Sequence, residues 1–178
     1  MSIDEIIKSI SAAMDQLINA DHWLLEKDLS ERSIAHRLAI YLEGAFPEHH
    51  VDCEYNGDNE QIDGRKKVQM LRDELKAKGF LRENEGEEEF VERSVYPDII
   101  VHRRGTNAHN LLIIEIKKST SRISSEYDQL KVVGYTSART EGDLLRYPWG
   151  LNLEIGTGKD FPGWRWYLYQ DGKIVGKG

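Results

Sequence analysis

One cysteine among 178 residues, Cys53, excludes an internal disulfide and leaves no second thiolate for a cysteine-based zinc site. That usage fits a reducing cytoplasm. Long apolar runs are missing too. No stretch approaches the roughly 20 apolar residues that a membrane span needs, so no membrane association is expected. The opening residues, MSIDEIIKSISAAMDQLI, mix acidic and apolar side chains where a secretory leader carries a basic stretch and then an apolar one. Positive charge is also in short supply. Twenty-four Lys and Arg against 31 Asp and Glu give a formal net charge of −7. This argues against a protein that coats nucleic acid by neutralising phosphates, but it leaves room for a local basic groove. Much of the acidity lies in one run, ENEGEEEFVE at residues 83–92, which reads as a solvated loop or strand edge.

Against these absences stand a 39% hydrophobic content, four Trp and eight Tyr. The length and apolar content suit one core and one domain over residues 1–178, and the aromatics exclude a disordered chain. Ile3, Ile6, Ile7, Ile10, Met14, Leu17 and Ile18 recur at helical spacing and predict a helix over residues 3–20. Ser30 is a suitable N-cap for a second helix. Its stripe is Ile34, Ala35, Leu38, Leu42 and Ala45, with Glu31 on the same face, and it ends at Phe46-Pro47.

Val51, Cys53 and Tyr55 alternate with Asp52 and Glu54 as in a half-buried strand, and a turn-rich loop follows. Val68, Leu71 and Leu75 predict a helix over residues 66–78, stopped at Gly79. Residues 96–102 (YPDIIVH) and 111–117 (LLIIEIK) are β-rich runs separated by RRGTNAHN and predict adjacent antiparallel strands. A helix is expected from Ser121 onward, a strand over residues 149–155, and a closing hairpin that turns at Asp171-Gly172. The result is a mixed α/β chain with a sheet flanked by helices.

Pairing the two β-rich runs about a turn centred at Thr106 and Asn107 sets Asp98 across from Glu115. Like charges placed so are destabilising, and both lie among Ile, Leu and Val, where an unpaired carboxylate is costly to bury. A positive group is required. Lys117, two residues beyond Glu115, points to the same face, and a hard cation such as Mg²⁺ suits paired carboxylate oxygens. The two answers are compatible, and together they suit phosphodiester hydrolysis, with the lysine orienting or deprotonating a water.

Pro97-Asp98 followed by Glu115-Ile116-Lys117 at the end of an apolar strand resembles the signature of the PD-(D/E)xK nuclease superfamily. The resemblance covers about residues 28–155. It implies a restriction endonuclease-like core of order αβββαβ, with residues 1–27 as an N-terminal helical extension. Under it, Asp98 and Glu115 ligate Mg²⁺ or Mn²⁺, the Ile116 carbonyl adds a ligand, and Lys117 handles the nucleophilic water. Many members place a glutamate on the helix before the sheet, which makes Glu31 the first candidate and Glu43 the second. Some carry a Gln and a Tyr on the helix after the motif. Gln129 and Tyr135 are the counterparts here, at a wider spacing than usual.

Other motifs carry less. In Gly156-Thr157-Gly158-Lys159-Asp160 the first glycine of a phosphate loop falls at Leu153 and Asp160 replaces the required Ser or Thr, so the segment reads as a turn. His49, His50, Asp52 and Cys53 are split between faces by strand alternation, and His36 reads as helix surface. Arg65, Lys66, Lys67, Arg103, Arg104, Lys118 and Arg122 are candidates for a phosphate groove, the last two best placed. The expected activity is a cytoplasmic, metal-dependent deoxyribonuclease acting on DNA rather than RNA, with specificity from DNA structure, a homodimer or a partner subunit. The rival reading is an inactive nuclease-fold binding or assembly module that acts with a protein partner, which the acidity of the chain favours.

Overall fold

Ser2 begins the first helix by a reciprocal cap. Its hydroxyl accepts the Glu5 N–H at 3.3 Å, and the Glu5 carboxylate accepts the Ser2 N–H at 2.7 Å. The computed structural model describes residues 1–57, 66–137 and 146–178. Helix α1 (Ile3–Ala20) buries Ile6, Ile10, Ala13, Met14 and Leu17 on one face. A short α2 (His22–Glu26) leads to α3 (Glu31–Ala45), where the Ser30 hydroxyl accepts the Ser33 N–H at 3.2 Å as expected of an N-cap. Helix α1 packs along α3.

Among the described residues eight strands follow: β1 (His50–Cys53), β2 (Lys67–Leu71), β3 (Phe90–Ser94), β4 (Ile99–His102), β5 (Leu112–Lys118), β6 (Trp149–Ile155), β7 (Trp164–Gln170) and β8 (Lys173–Lys177). Six of them form one mixed, mostly antiparallel sheet of order β1-β4-β5-β6-β7-β8. The pair β5–β6 is parallel, and its crossover carries α5 (Glu126–Thr136). Strands β2 and β3 form a separate antiparallel pair, with the short helix α4 (Arg72–Ala77) after β2.

The central strands are buried on both faces, and alternation divides their side chains between two clusters. Ile99, Val101, Leu112, Ile114 and Ile116 join α1 and α3 in one. Ile100 and Ile113 join β2, β3 and α5 in the other through Val68, Met70, Val91 and Leu130. The N-terminal residues thus contribute Ile6 to Leu17 to the same core as the sheet. Among the described residues no helix is long and apolar enough to cross a membrane.

Several elements differ from expectation. The helix predicted over residues 66–78 is half strand. Val68 and Met70 are the buried alternates of β2, and only residues 72–77 are helical. The acidic run 83–92 ends inside β3, which closes that pair as an edge. Strand β1 stops at Cys53: Glu54 still donates its N–H to the Asp98 carbonyl at 3.2 Å, but its φ of 49° is not that of a strand. Helix α5 starts at Glu126 rather than Ser121. The closing hairpin turns at Asp171 and Gly172, both with positive φ, as its two-residue loop requires.

Candidate active site

Strand register builds the site. Ile99 faces Ile114, Ile100 faces Ile113 and Val101 faces Leu112, and one more step sets Asp98 opposite Glu115. Both carboxylates project toward the face covered by α5, following Ile100 and Ile113. Where that apolar layer ends, Glu115 is only 1% exposed. Asp98 accepts the Ile116 N–H through Oδ2 at 2.7 Å, which fixes it at the strand edge. Glu31, the first residue of α3, reaches the end of the same strand and accepts the Lys118 N–H at 3.1 Å.

A clamp holds α3 in that position. The Lys118 ammonium lies 2.9 Å from the Asp28 carboxylate and donates to the carbonyls of Asp28 and Leu29. Asp28 also accepts the hydroxyls of Thr120 and Thr157, each at 2.7 Å. Lys118 and the two threonines hold its carboxyl at about 2. The turn before α3 is therefore tied to the ends of β5 and β6, and Glu31 comes with it.

Helix α5 contributes two residues that the strand motif does not contain. Lys131 forms a close ion pair with Glu115 Oε2 and lies 3.0 Å from Asp128 Oδ1. Asp128 Oδ2 lies 2.9 Å from the Lys117 ammonium, so one carboxylate joins both lysines. The helix sits close because Gly150 of β6 has no side chain. A Cβ there would lie 2.4 Å from Val132 Cγ1 and 2.8 Å from Thr136 Cγ2.

The electrostatics are unbalanced. Glu115 Oε1 is buried and has no hydrogen-bond partner among the described residues. Burial pushes its carboxyl well above the ordinary value, and a Lys131 ammonium shared with Asp128 does not offset that. Burial also pushes Asp98 up to about 6, against the Ile116 N–H and the Lys131 charge, with Glu31 and Asp128 adding to the rise. Burial pulls the Lys117 ammonium down, but the bond to Asp128 and the field of Glu31 and Asp98 outweigh it, so its value is raised. Lys131 is raised in the same way by Glu115 and Asp128. Both lysines are charged donors here.

Asp98, Glu115 and Lys117 thus lie on one face at the end of β5, and Glu31 meets the same strand end at the Lys118 N–H. Gln129 lines the same cleft as Glu115, Lys117 and Asp128, with its amide 3.4 Å from the Ser125 hydroxyl. The Ile116 side chain is buried in the core while its N–H serves Asp98. Tyr135 is buried, with its hydroxyl 3.4 Å from the Val95 carbonyl. Glu43 is exposed near Arg104, at the far end of α3 from Glu31. Asp128 and Lys131 went unnoticed in the sequence, where their i,i+3 spacing places them on one helical face.

The proposed basic groove is largely dismantled. Lys118 serves the Asp28 clamp, and Lys66 is buried with its ammonium against the Tyr147 hydroxyl. Lys67 pairs with Glu92 at 3.3 Å, Arg103 with Glu48 at 3.7 Å and Arg104 with Asp52. Arg122 is exposed, and Arg65 lies outside the described residues. Asp52 binds His102 at 2.9 Å rather than joining His49, His50 and Cys53, His36 is exposed, and residues 158–160 form a single turn.

Among the described residues no three His, Cys, Asp or Glu side chains are arranged as a preformed metal cage. Two carboxylates nonetheless fit Mg²⁺, which usually keeps several waters and takes only one or two protein carboxylates. The unpartnered Glu115 Oε1 is the acceptor that such an ion would satisfy. Comparison with protein-family models, curated proteins and solved structures finds no match.

Proposed function

We propose that this chain is a divalent-metal-dependent nuclease of the PD-(D/E)xK type, hydrolysing phosphodiester bonds in DNA. The observation that carries the reading is Glu115 Oε1, a buried carboxylate oxygen without a hydrogen-bond partner among the described residues, on a residue opposite Asp98 and on the same strand face as Lys117. A buried anionic oxygen left unmatched costs several kcal/mol, and a cation at the strand end removes that cost. The succession α3, β1, β4, β5, α5, β6 supports a restriction endonuclease-like core of order αβββαβ, with the β2–β3 pair inserted.

In this reading Asp98 and Glu115 bind the cation and the Ile116 carbonyl is a further donor. Glu31, whose carboxylate accepts the Lys118 N–H, would be the further acidic group near the ion. Mg²⁺ or Mn²⁺ held there would supply Lewis-acid polarisation of a phosphoryl oxygen and acidification of a water. Lys117, held as an ammonium by Asp128, donates to the attacking water or to a phosphate oxygen and orients it. It acts as a general base only if it leaves Asp128. A cleft bounded by Arg32, Cys53 and Asp98 opens at the site, and a second, bounded by Ser119, Trp164 and Arg165, begins one residue past the end of β5.

The second reading is a binding module that does not turn over. The closed network favours it, because Lys117 and Lys131 are both engaged with carboxylates. Supercoiled, linear, single-stranded and branched DNA, incubated with Mg²⁺, Mn²⁺ or EDTA, separate the two readings. A nuclease cuts at least one substrate only with metal, and Lys117→Ala loses the cutting. No cutting of any substrate, or equal cutting by the variant, removes the catalytic assignment.

A further inference from the structure

We propose that Lys131 is a built-in cation that takes the place of a second metal ion, so that the site binds one divalent ion per chain. The inference rests on the metal-site reading and extends it to stoichiometry. Lys131 sits where carboxylates from two elements meet. Its ammonium pairs with Glu115 Oε2 from β5 and lies 3.0 Å from Asp128 Oδ1 on α5. Its side chain is 12% exposed against 1% for Glu115, so this charge is nearly as sheltered as the one it faces.

Charge counting sets the stoichiometry. With Lys118 and Asp28 cancelling each other, Asp98, Glu115, Asp128 and Glu31 bring four negative charges to the end of β5, and Lys117 and Lys131 bring two positive ones. One divalent ion neutralises the remainder. A second would leave two uncompensated positive charges in a poorly solvated place, which is expensive. Geometry agrees with the count. Oε2 of Glu115 is occupied by Lys131, and only Oε1, buried and without a hydrogen-bond partner among the described residues, is left for an ion. The carboxylate that could help hold a second ion, Asp128, is divided between the two lysines.

Lys131 is therefore a positioning residue. It holds Glu115 through Oε2 and leaves Oε1 without a hydrogen-bond partner among the described residues, and it needs no contact with substrate. Its replacement by methionine keeps the bulk, removes the charge and frees two carboxylate oxygens. The site then carries one more negative charge than a single divalent ion neutralises.

The test is Mn²⁺ titration of the metal-stripped protein at neutral pH, by calorimetry and by the resonance signal of free Mn²⁺. Wild type, Lys131→Arg, Lys131→Met and Asp98→Asn are compared. Wild type and Lys131→Arg are expected to bind one Mn²⁺, Lys131→Met two, and Asp98→Asn none at the same concentrations. Two ions in wild type, or one in a folded Lys131→Met protein, overturns the role of Lys131 and leaves the nuclease reading standing. If Lys131→Met does not fold, the wild-type and Lys131→Arg stoichiometries decide. No Mn²⁺ in wild type, or binding indifferent to Asp98, removes the metal site and this inference with it.

Discussion

Lys117 and Glu85 show how differently one residue can matter. Lys117 touches the fold through its ion pair with Asp128, and Asp128 keeps Lys131 at 3.0 Å as a partner when Lys117 is removed, so no carboxylate is left unpaired. In the nuclease reading its donor acts on the reacting groups, where positioned proton-handling side chains contribute about 10²–10⁴-fold. Lys117→Ala is thus expected to lose at least a hundredfold in cleavage while its thermal midpoint stays close to wild type. A large drop in stability with proportionate loss of activity would make Lys117 a structural residue. Glu85 is the opposite case. It receives two hydrogen bonds from Arg93, at 2.7 and 2.6 Å, and Arg93 also donates to the Phe80 carbonyl at 2.6 Å. The bonds from Arg93 hold the Glu85 carboxyl at about 2, against an ordinary 4.5. A depressed carboxylate stabilises the fold above the unfolded value and stops doing so as pH falls through the folded one. Glu85→Gln should lower stability by about 1–3 kcal/mol at neutral pH. The gap from wild type should close between pH 4.5 and 2, and a gap that stays constant in acid denaturation would rule out the ionic part.

Among the elements, α5 decides the geometry of the site, and Gly150 decides how close α5 comes. Gly150→Ala forces a Cβ to within 2.4 Å of Val132 and 2.8 Å of Thr136, so the helix must move. Overpacking of this kind costs about 1–3 kcal/mol. Because Lys131 and Asp128 ride on the same helix, Mn²⁺ affinity should fall together with the melting temperature. A variant that loses stability but binds Mn²⁺ as before would uncouple helix from site. The sequence reveals strands better than it reveals this helix. Aliphatic runs around Asp98 and Glu115 gave the β4–β5 register, and the bounds of β6 and of the final hairpin followed from their alternation and their turn. Strand β2 was hidden because Val68, Leu71 and Leu75 match a helical period while Val68 and Met70 match a strand, and the partner that decides between them, β3, lies at the end of an acidic run. Lys131 was illegible for another reason. Placing the helix start at Ser121 says nothing of which face meets Glu115, and that depends on the close approach at Gly150.

For the whole molecule, the site makes stability depend on metal and proton together. Asp98 is raised to about 6 by burial, so its contribution to stability is fully present below the unfolded value of 3.8 and is lost as pH rises through 6. Glu115 is raised by burial in the same sense. Asp28 and Glu85, both held at about 2, act the other way and withdraw their support only in acid. The metal-free protein should therefore lose stability between about pH 4 and 6, the interval between the unfolded and folded values of Asp98, while Asp28 and Glu85 withdraw their support mainly below it. A cation bound to Asp98 and Glu115 removes the penalty on the basic side. At a hundred times its dissociation constant it adds about 2.7 kcal/mol, which is roughly 5–10 °C in a chain of this size. Melting with Mn²⁺ and with EDTA from pH 5 to 8 should show a metal-induced shift that grows as pH rises through about 6, where proton competition at Asp98 ends. Asp98→Asn should melt higher than wild type in EDTA at neutral pH and show little response to Mn²⁺. A shift that is independent of pH, or that persists in the variant, would place the cation elsewhere on the molecule.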